Sequence, residues 1–174
     1  METFAALLRA ARALTGETQE TVGKWVDLDP QDISRWETSR YKLLSASGVA
    51  LQKAFERKGI EFLSESHGLG RGVRWREPGR EDVYGGALFR AARAMAGSSM
   101  RDVENRCGVS RSFLTRLEQG RITSLNLEKH RVLVMTYSAM GILLTAEGPT
   151  WGAGVRWIHS NLGIPLEDDK NDIR

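Results

Sequence analysis

Cysteine is nearly absent from this chain. Cys107 stands alone among 174 residues, which excludes an internal disulfide framework and a cysteine-rich zinc site. The three histidines, His67, His130 and His159, are scattered, so no metal-ligand spacing forms and no cofactor is implied. No apolar run approaches the length of a membrane span, and residues 1–14 carry two arginines within an amphipathic helical pattern, unlike a signal peptide. A soluble cytoplasmic protein is expected. No nucleophile–base constellation and no phosphate loop stand out, so the chain reads as a non-enzyme. The net charge of +3 permits a nucleic-acid partner without demanding one.

What the chain does have is a duplication. Residues 6–16 read ALLRAARALTG and residues 87–97 read ALFRAARAMAG, an offset of 81. The same offset relates Arg35 to Arg116, Glu37 to Glu118 and Arg40 to Arg121. An offset of 82 relates Gly59-Ile60 to Gly141-Ile142, and Gly72-Val73-Arg74-Trp75 to Gly154-Val155-Arg156-Trp157. A period this long suits a small duplicated domain better than a solenoid. The expected organisation is a first domain over 1–76, a linker over 77–86 with Pro78 and several glycines, a second domain over 87–160, and a polar, net acidic tail over 161–174.

Each copy has the same local pattern. Apolar residues at helical spacing predict a helix over 3–14, with Gly16 as its left-handed cap. Thr18 then caps a short helix over 19–26. After a turn at Asp27-Leu28, Asp29 caps a third helix opened by Pro30, with Ile33 and Trp36 facing inward. The second copy repeats this over 88–95, Ser99 to Cys107, the turn Gly108-Val109, and Ser110 capping 111–119. Two short helices joined by a tight turn make a helix-turn-helix arrangement. A further helix follows in each copy, over 47–58 and 127–140. Strands over 60–63 and 73–76, then over 142–145 and 155–158, read as β-hairpins. Isolated hairpins are marginal, and pairing the two into one four-stranded sheet, within a chain or between chains, would bury their edges.

The stretches TQETVGKWVDLDPQDISRWETSR at 18–40 and SMRDVENRCGVSRSFLTRLEQGR at 99–121 resemble the helix-turn-helix of the lambda-repressor and Cro-like family, the XRE-type regulators. The first keeps Thr18-Gln19, Ile33-Ser34-Arg35 and Glu37, but has Asp27 where the turn glycine is common. The second keeps Gly108-Val109-Ser110, Arg116, Glu118 and Gly120, but has Met100 where the family has Gln. The resemblance implies a mainly α fold, α+β overall, of two lambda-repressor-like helix-turn-helix domains, each followed by a short β-hairpin. It further implies a bacterial or phage transcriptional regulator that binds an operator in double-stranded DNA, with dimerisation through helices or hairpins as a possible further step.

The resemblance also assigns residues. Arg12 with Glu37, and Arg93 with Glu118, would be partly buried ion pairs tying the first helix of each copy to the third. Gln31, Ser34 and Arg35 in the first copy, and Arg111, Ser112, Thr115 and Arg116 in the second, would project towards base edges. There Arg suits guanine and Gln suits adenine; without the family motif the same residues would read as a solvated polar face. Thr18, Gln19 and Arg40, with Ser99 and Arg121, are the candidate phosphate contacts at helix ends. Arg9 and Arg90 read as solvated helix-face charges. The copies differ electrostatically. Residues 16–40 hold three basic and six acidic side chains, while 97–121 hold five basic and three acidic. Since phosphate neutralisation drives much of DNA affinity, the second copy is the expected stronger reader. A rival reading makes the acidic first copy, with Trp25 on an exposed helix side, a docking surface for a protein partner.

Overall fold

The computed structural model describes residues 3–38 and 45–159. Arg40 and the segment 161–174 lie outside the described residues. The first half runs α1 (Phe4–Thr15), α2 (Gln19–Val26), α3 (Pro30–Thr38), α4 (Ala46–Arg57), β1 (Ile60–Leu63) and β2 (Leu69–Trp75). The second repeats the order as α5 (Gly86–Ala96), α6 (Met100–Cys107), α7 (Arg111–Glu118), α8 (Leu127–Ala139), β3 (Ile142–Thr145) and β4 (Gly154–Ile158). The result is mainly helical with one small antiparallel sheet. No helix among the described residues is long and apolar enough to cross a membrane.

Side chains that satisfy orphan backbone groups set the helix ends. Thr3, Thr18 and Ser45 each accept a backbone N–H three residues on, opening α1, α2 and α4. Ser99 and Asp102 form a reciprocal capping box at α6. The two helix-turn-helix corners share one backbone solution. Gly108 turns the second at φ 71°, and Asp27 turns the first at φ 56°. That left-handed conformation is free for glycine and costs a side-chain-bearing residue energy, less for Asp than for most.

The two halves meet along two seams. Helices α1 and α5 pack against each other through small side chains, with Ala10, Ala11, Ala91 and Ala92 fully buried. Beneath them lies the sheet, in the order β1-β2-β4-β3, so the two hairpins pair through their second strands. Its buried residues Ile60, Val73, Ile142 and Val155 join the α1 and α5 residues in one hydrophobic core. Strand β2 begins at Leu69, earlier than the strand expected from residue 73, because Leu69 pairs with Ile158 at the far end of β4.

The partner of each duplicated GVR segment is that of the other copy. In the β2–β4 pairing, Gly72 faces Arg156, Val73 faces Val155, and Arg74 faces Gly154. The pairing maps onto itself when the copies are exchanged, as in an isologous two-fold interface. Glycine is demanded at both ends: a Cβ on Gly72 would lie 2.3 Å from Cβ of Arg156, and one on Gly154 2.4 Å from Cβ of Arg74. The repeat GVRW is therefore a self-complementary seam. Outside it, Arg74 pairs with Glu61 at 2.6 Å, and Arg156, almost buried, donates to the carbonyls of Gly70, Leu69 and Ser64.

The segment between the halves is also held. Gly79 N–H donates to Glu147 at 2.8 Å, the Asp82 carboxylate accepts from Ala87 N–H, and Arg80 stacks on Trp75 at 4.1 Å. Trp25 is not the exposed ring expected from its helix pattern. It packs edge-on against Phe55 at 5.4 Å, with Lys58 over its face, because α4 covers that side of α2. The rationale for Trp25 as a docking residue falls with it.

Candidate nucleic-acid interface

In each half the third helix is fixed from behind and bare in front. Ile33, Trp36 and Glu37 of α3 are buried, as are Phe113, Leu114, Leu117 and Glu118 of α7. The buried carboxylates are answered. Arg12 binds Glu37 in a two-pronged contact at 2.5 and 2.8 Å, and Arg93 binds Glu118 likewise at 2.7 and 2.7 Å. Each arginine gives its remaining nitrogen to the backbone of the loop after its own helix, the Glu17 and Ser98 carbonyls. The hydrogen bonds to Glu118 hold the Arg93 guanidinium above its ordinary pKa, in spite of burial. These four residues tie α3 to α1 and α7 to α5, on the buried side of each helix.

The outward faces differ between the halves. On α3, Gln31 is exposed and Ser34 half-buried, while exposed Arg35 folds back onto Asp32 at 2.8 Å. On α7, Ser112 is exposed and shares a hydrogen bond with Ser110, and Thr115 is half-buried. Arg111 is held by Glu104 at 2.9 Å, and the same carboxylate accepts the Arg111 N–H, capping α7 from the preceding helix. The Arg116 side chain is exposed and makes no ion pair or hydrogen bond among the described residues. So each candidate set lies along one side of its helix, from the first turn to Arg35 or Arg116 in the last, with Ser34 and Thr115 half-buried.

The candidate phosphate contacts are placed less uniformly. Thr18 and Ser99 sit exposed at the N-termini of α2 and α6, their hydroxyls engaged in capping. The Ser99 hydrogen bonds lower the Asp102 pKa, which sets a fixed negative charge on that helix end. Gln19 is turned inward: its amide donates to Glu37 at 2.8 Å, extending the Arg12–Glu37 pair. Arg121 is exposed beyond α7 with no side-chain partner among the described residues.

Pairing sharpens the electrostatic contrast. Around α2 and α3 the described cations are neutralised locally, Lys24 by Glu20 and Arg35 by Asp32, and Asp27 and Asp29 stay exposed around a cleft of about 340 Å³ at the turn. Around α6 and α7, Arg101, Arg106, Arg116 and Arg121 are all exposed and carry no ion pair among the described residues. Sequence counting showed the difference in charge but could not show which charges were free.

Arg9 and Arg90 are not solvated, contrary to expectation. Arg9 donates to the Glu37 carbonyl and, across the junction, to Ala94 and Met95 at 2.8 and 3.3 Å. Arg90 donates to the Glu118 carbonyl at 2.8 Å and, across the junction, to Ala13 at 2.7 Å. Burial lowers the Arg9 pKa. A helix-face pattern could not reveal them, because their acceptors lie on other elements, some of them in the other copy.

Residues 86–142 match the family model of a helix-turn-helix domain. The match begins with α5 and runs to the start of β3, taking in α6, the Gly108 turn and α7. The second half therefore carries a helix-turn-helix domain, a unit suited to binding DNA. No curated protein and no solved structure matches the chain.

Proposed function

We propose that the protein is a sequence-specific DNA-binding transcriptional regulator of the XRE type, whose two helix-turn-helix units address two dissimilar half-sites on one duplex. The observation that carries this reading is the group of four unpaired, exposed arginines around the matched helix-turn-helix, beside a reading helix whose back is locked by Arg93–Glu118. Such cations neutralise phosphates and release counterions, while Arg111, Ser112, Thr115 and Arg116 meet base edges in the major groove. The first unit offers Gln31, Ser34 and Arg35 on a more acidic ground, and it binds more weakly. Because the two units share one chain, it would act as a dimer does, and this reading requires half-sites about one helical turn apart.

Selection of duplexes from a random library by the full chain tests this. The expected product is an imperfect inverted repeat, with the better defined half contacted by the second unit. Recovery of no enriched sequence would contradict the reading. The acidity of the first unit favours a second use, in which its α2–α3 surface takes a basic protein partner. That use predicts a stoichiometric partner lost when Asp27 and Asp29 are changed to Asn, and it does not require Trp25.

A further inference from the structure

We propose that Arg9 and Arg90 form a crossed clamp that fixes the spacing and angle between the two reading helices, and so sets which separation of half-sites the protein accepts. The inference rests on the reading that both helices address one duplex. Its physical basis is independent of that reading.

Each of the two guanidiniums joins three elements. Arg9, on α1, reaches the Glu37 carbonyl in the last turn of α3 and the Ala94 and Met95 carbonyls in the last turn of α5. Arg90, on α5, reaches the Glu118 carbonyl in the last turn of α7 and the Ala13 carbonyl in the last turn of α1. Under the offset of 81, Arg9 to Ala94 becomes Arg90 to Ala13, and Arg9 to Glu37 becomes Arg90 to Glu118. The acceptors are carbonyls at helix C-termini, where intrahelical donors run out and a cation is favoured by the helix dipole. These are therefore natural seats for guanidinium, and each one ties a reading helix to the opposite half.

The surroundings are cut to fit. Gly16 and Gly97, which close α1 and α5, lie under the clamp. A Cβ on Gly16 would stand 3.2 Å from Nη2 of Arg90, and one on Gly97 3.4 Å from Nη2 of Arg9. Arg12 and Arg93 already anchor each reading helix within its own half, so Arg9 and Arg90 are not needed for that task. What they add is a link across the junction. Lysine cannot replace them: a single ammonium on a flexible stem lacks the planar fork that reaches two chain segments at once.

The test uses the full chain in a Cys107→Ala background, with spin labels at Thr38→Cys and Gln119→Cys, at the ends of the two reading helices. Pulsed dipolar spectroscopy should give one narrow distance distribution for the parent. The Arg9→Lys/Arg90→Lys variant should keep its circular-dichroism melting profile and broaden the distribution about twofold as the junction loosens. If the double variant unfolds, Arg9→Lys alone should broaden it part-way. In a second arm, the duplex selected by the parent is lengthened between its half-sites by about 5 base pairs, half a helical turn. Parent affinity should fall about tenfold or more and variant affinity about threefold or less, since a loose junction tolerates a changed span. An unchanged distribution in a folded lysine variant would overturn the clamp, whatever DNA does. Failure of the parent to select any duplex would overturn the two-site reading, while the distance measurement would still decide the clamp.

Discussion

Alanine at Gly72 or Gly154 should damage the seam that makes one body of two copies. Neither glycine has a positive φ, so an added methyl meets no backbone penalty there. In open space the exchange would stabilise the fold by about 0.4–1 kcal/mol through the unfolded state. The facing strand reverses the sign. A methyl on Gly72 would lie 2.3 Å from Cβ of Arg156 and 2.5 Å from the Val155 carbonyl oxygen. Ordinary carbon contacts need about 3.5–4.0 Å, so β2 and β4 must part by about 1 Å, far enough to spoil hydrogen bonds that work near 2.9 Å. Two weakened ladder bonds at about 1 kcal/mol each agree with the usual overpacking cost of about 1–3 kcal/mol. The prediction is a loss of about 2 kcal/mol for Gly72→Ala, and the same for Gly154→Ala, whose methyl would meet Arg74 at 2.4 Å. For a chain of this size that is a fall of roughly 4–8 °C in Tm. The double variant should cost less than the sum, because a seam once opened admits the second methyl. Urea unfolding followed by circular dichroism measures all three. A single variant as stable as the parent, or more so, would refute the close pairing.

Three further substitutions test individual positions. The Tyr137 hydroxyl is buried with no hydrogen-bond partner among the described residues, and burial beside Glu118 raises its pKa. Phe55 fills the corresponding place in the first half, so Tyr137→Phe should leave stability unchanged or raise it by about 1 kcal/mol in denaturant unfolding, as removal of an unsatisfied group does. Asp27 holds the left-handed turn that Gly108 holds in the second copy. Asp27→Gly should stabilise by about 0.5–1 kcal/mol, and Gly108→Asp should destabilise by a similar amount, in thermal melts of the two variants.

Local order was legible in the sequence wherever a local cause sets it. Thr18 and Ser99 announce helix starts, Gly16 and Gly97 announce helix ends, and the short apolar runs after Gly59 and Gly141 announce strands. The duplication showed which residues matter to the scaffold without showing why. GVRW recurs because each copy pairs with the other, a register that no local pattern contains. Arg9 and Arg90 look solvated on a helical wheel, since the carbonyls that receive them are contributed from 85 and 77 residues away. Trp25 was misplaced for the same reason: α4, not solvent, lies against it. On the candidate site, residue types and spacing marked the outward faces of α3 and α7. The pairing of Arg35 with Asp32 and of Arg111 with Glu104, and the freedom of Arg116, depend on rotamers and neighbouring helices.

In the proposed function the second helix-turn-helix is the principal reader of DNA. Fluorescence anisotropy on the duplex selected by the parent tests it directly, comparing Arg111→Ala/Arg116→Ala with Gln31→Ala/Arg35→Ala. At about 1–3 kcal/mol for each base contact, the second-unit pair should weaken binding by roughly 30-fold to 10⁴-fold. The first-unit pair should weaken it by clearly less, about tenfold. Equal losses, or a larger loss from the first-unit pair, would contradict the account.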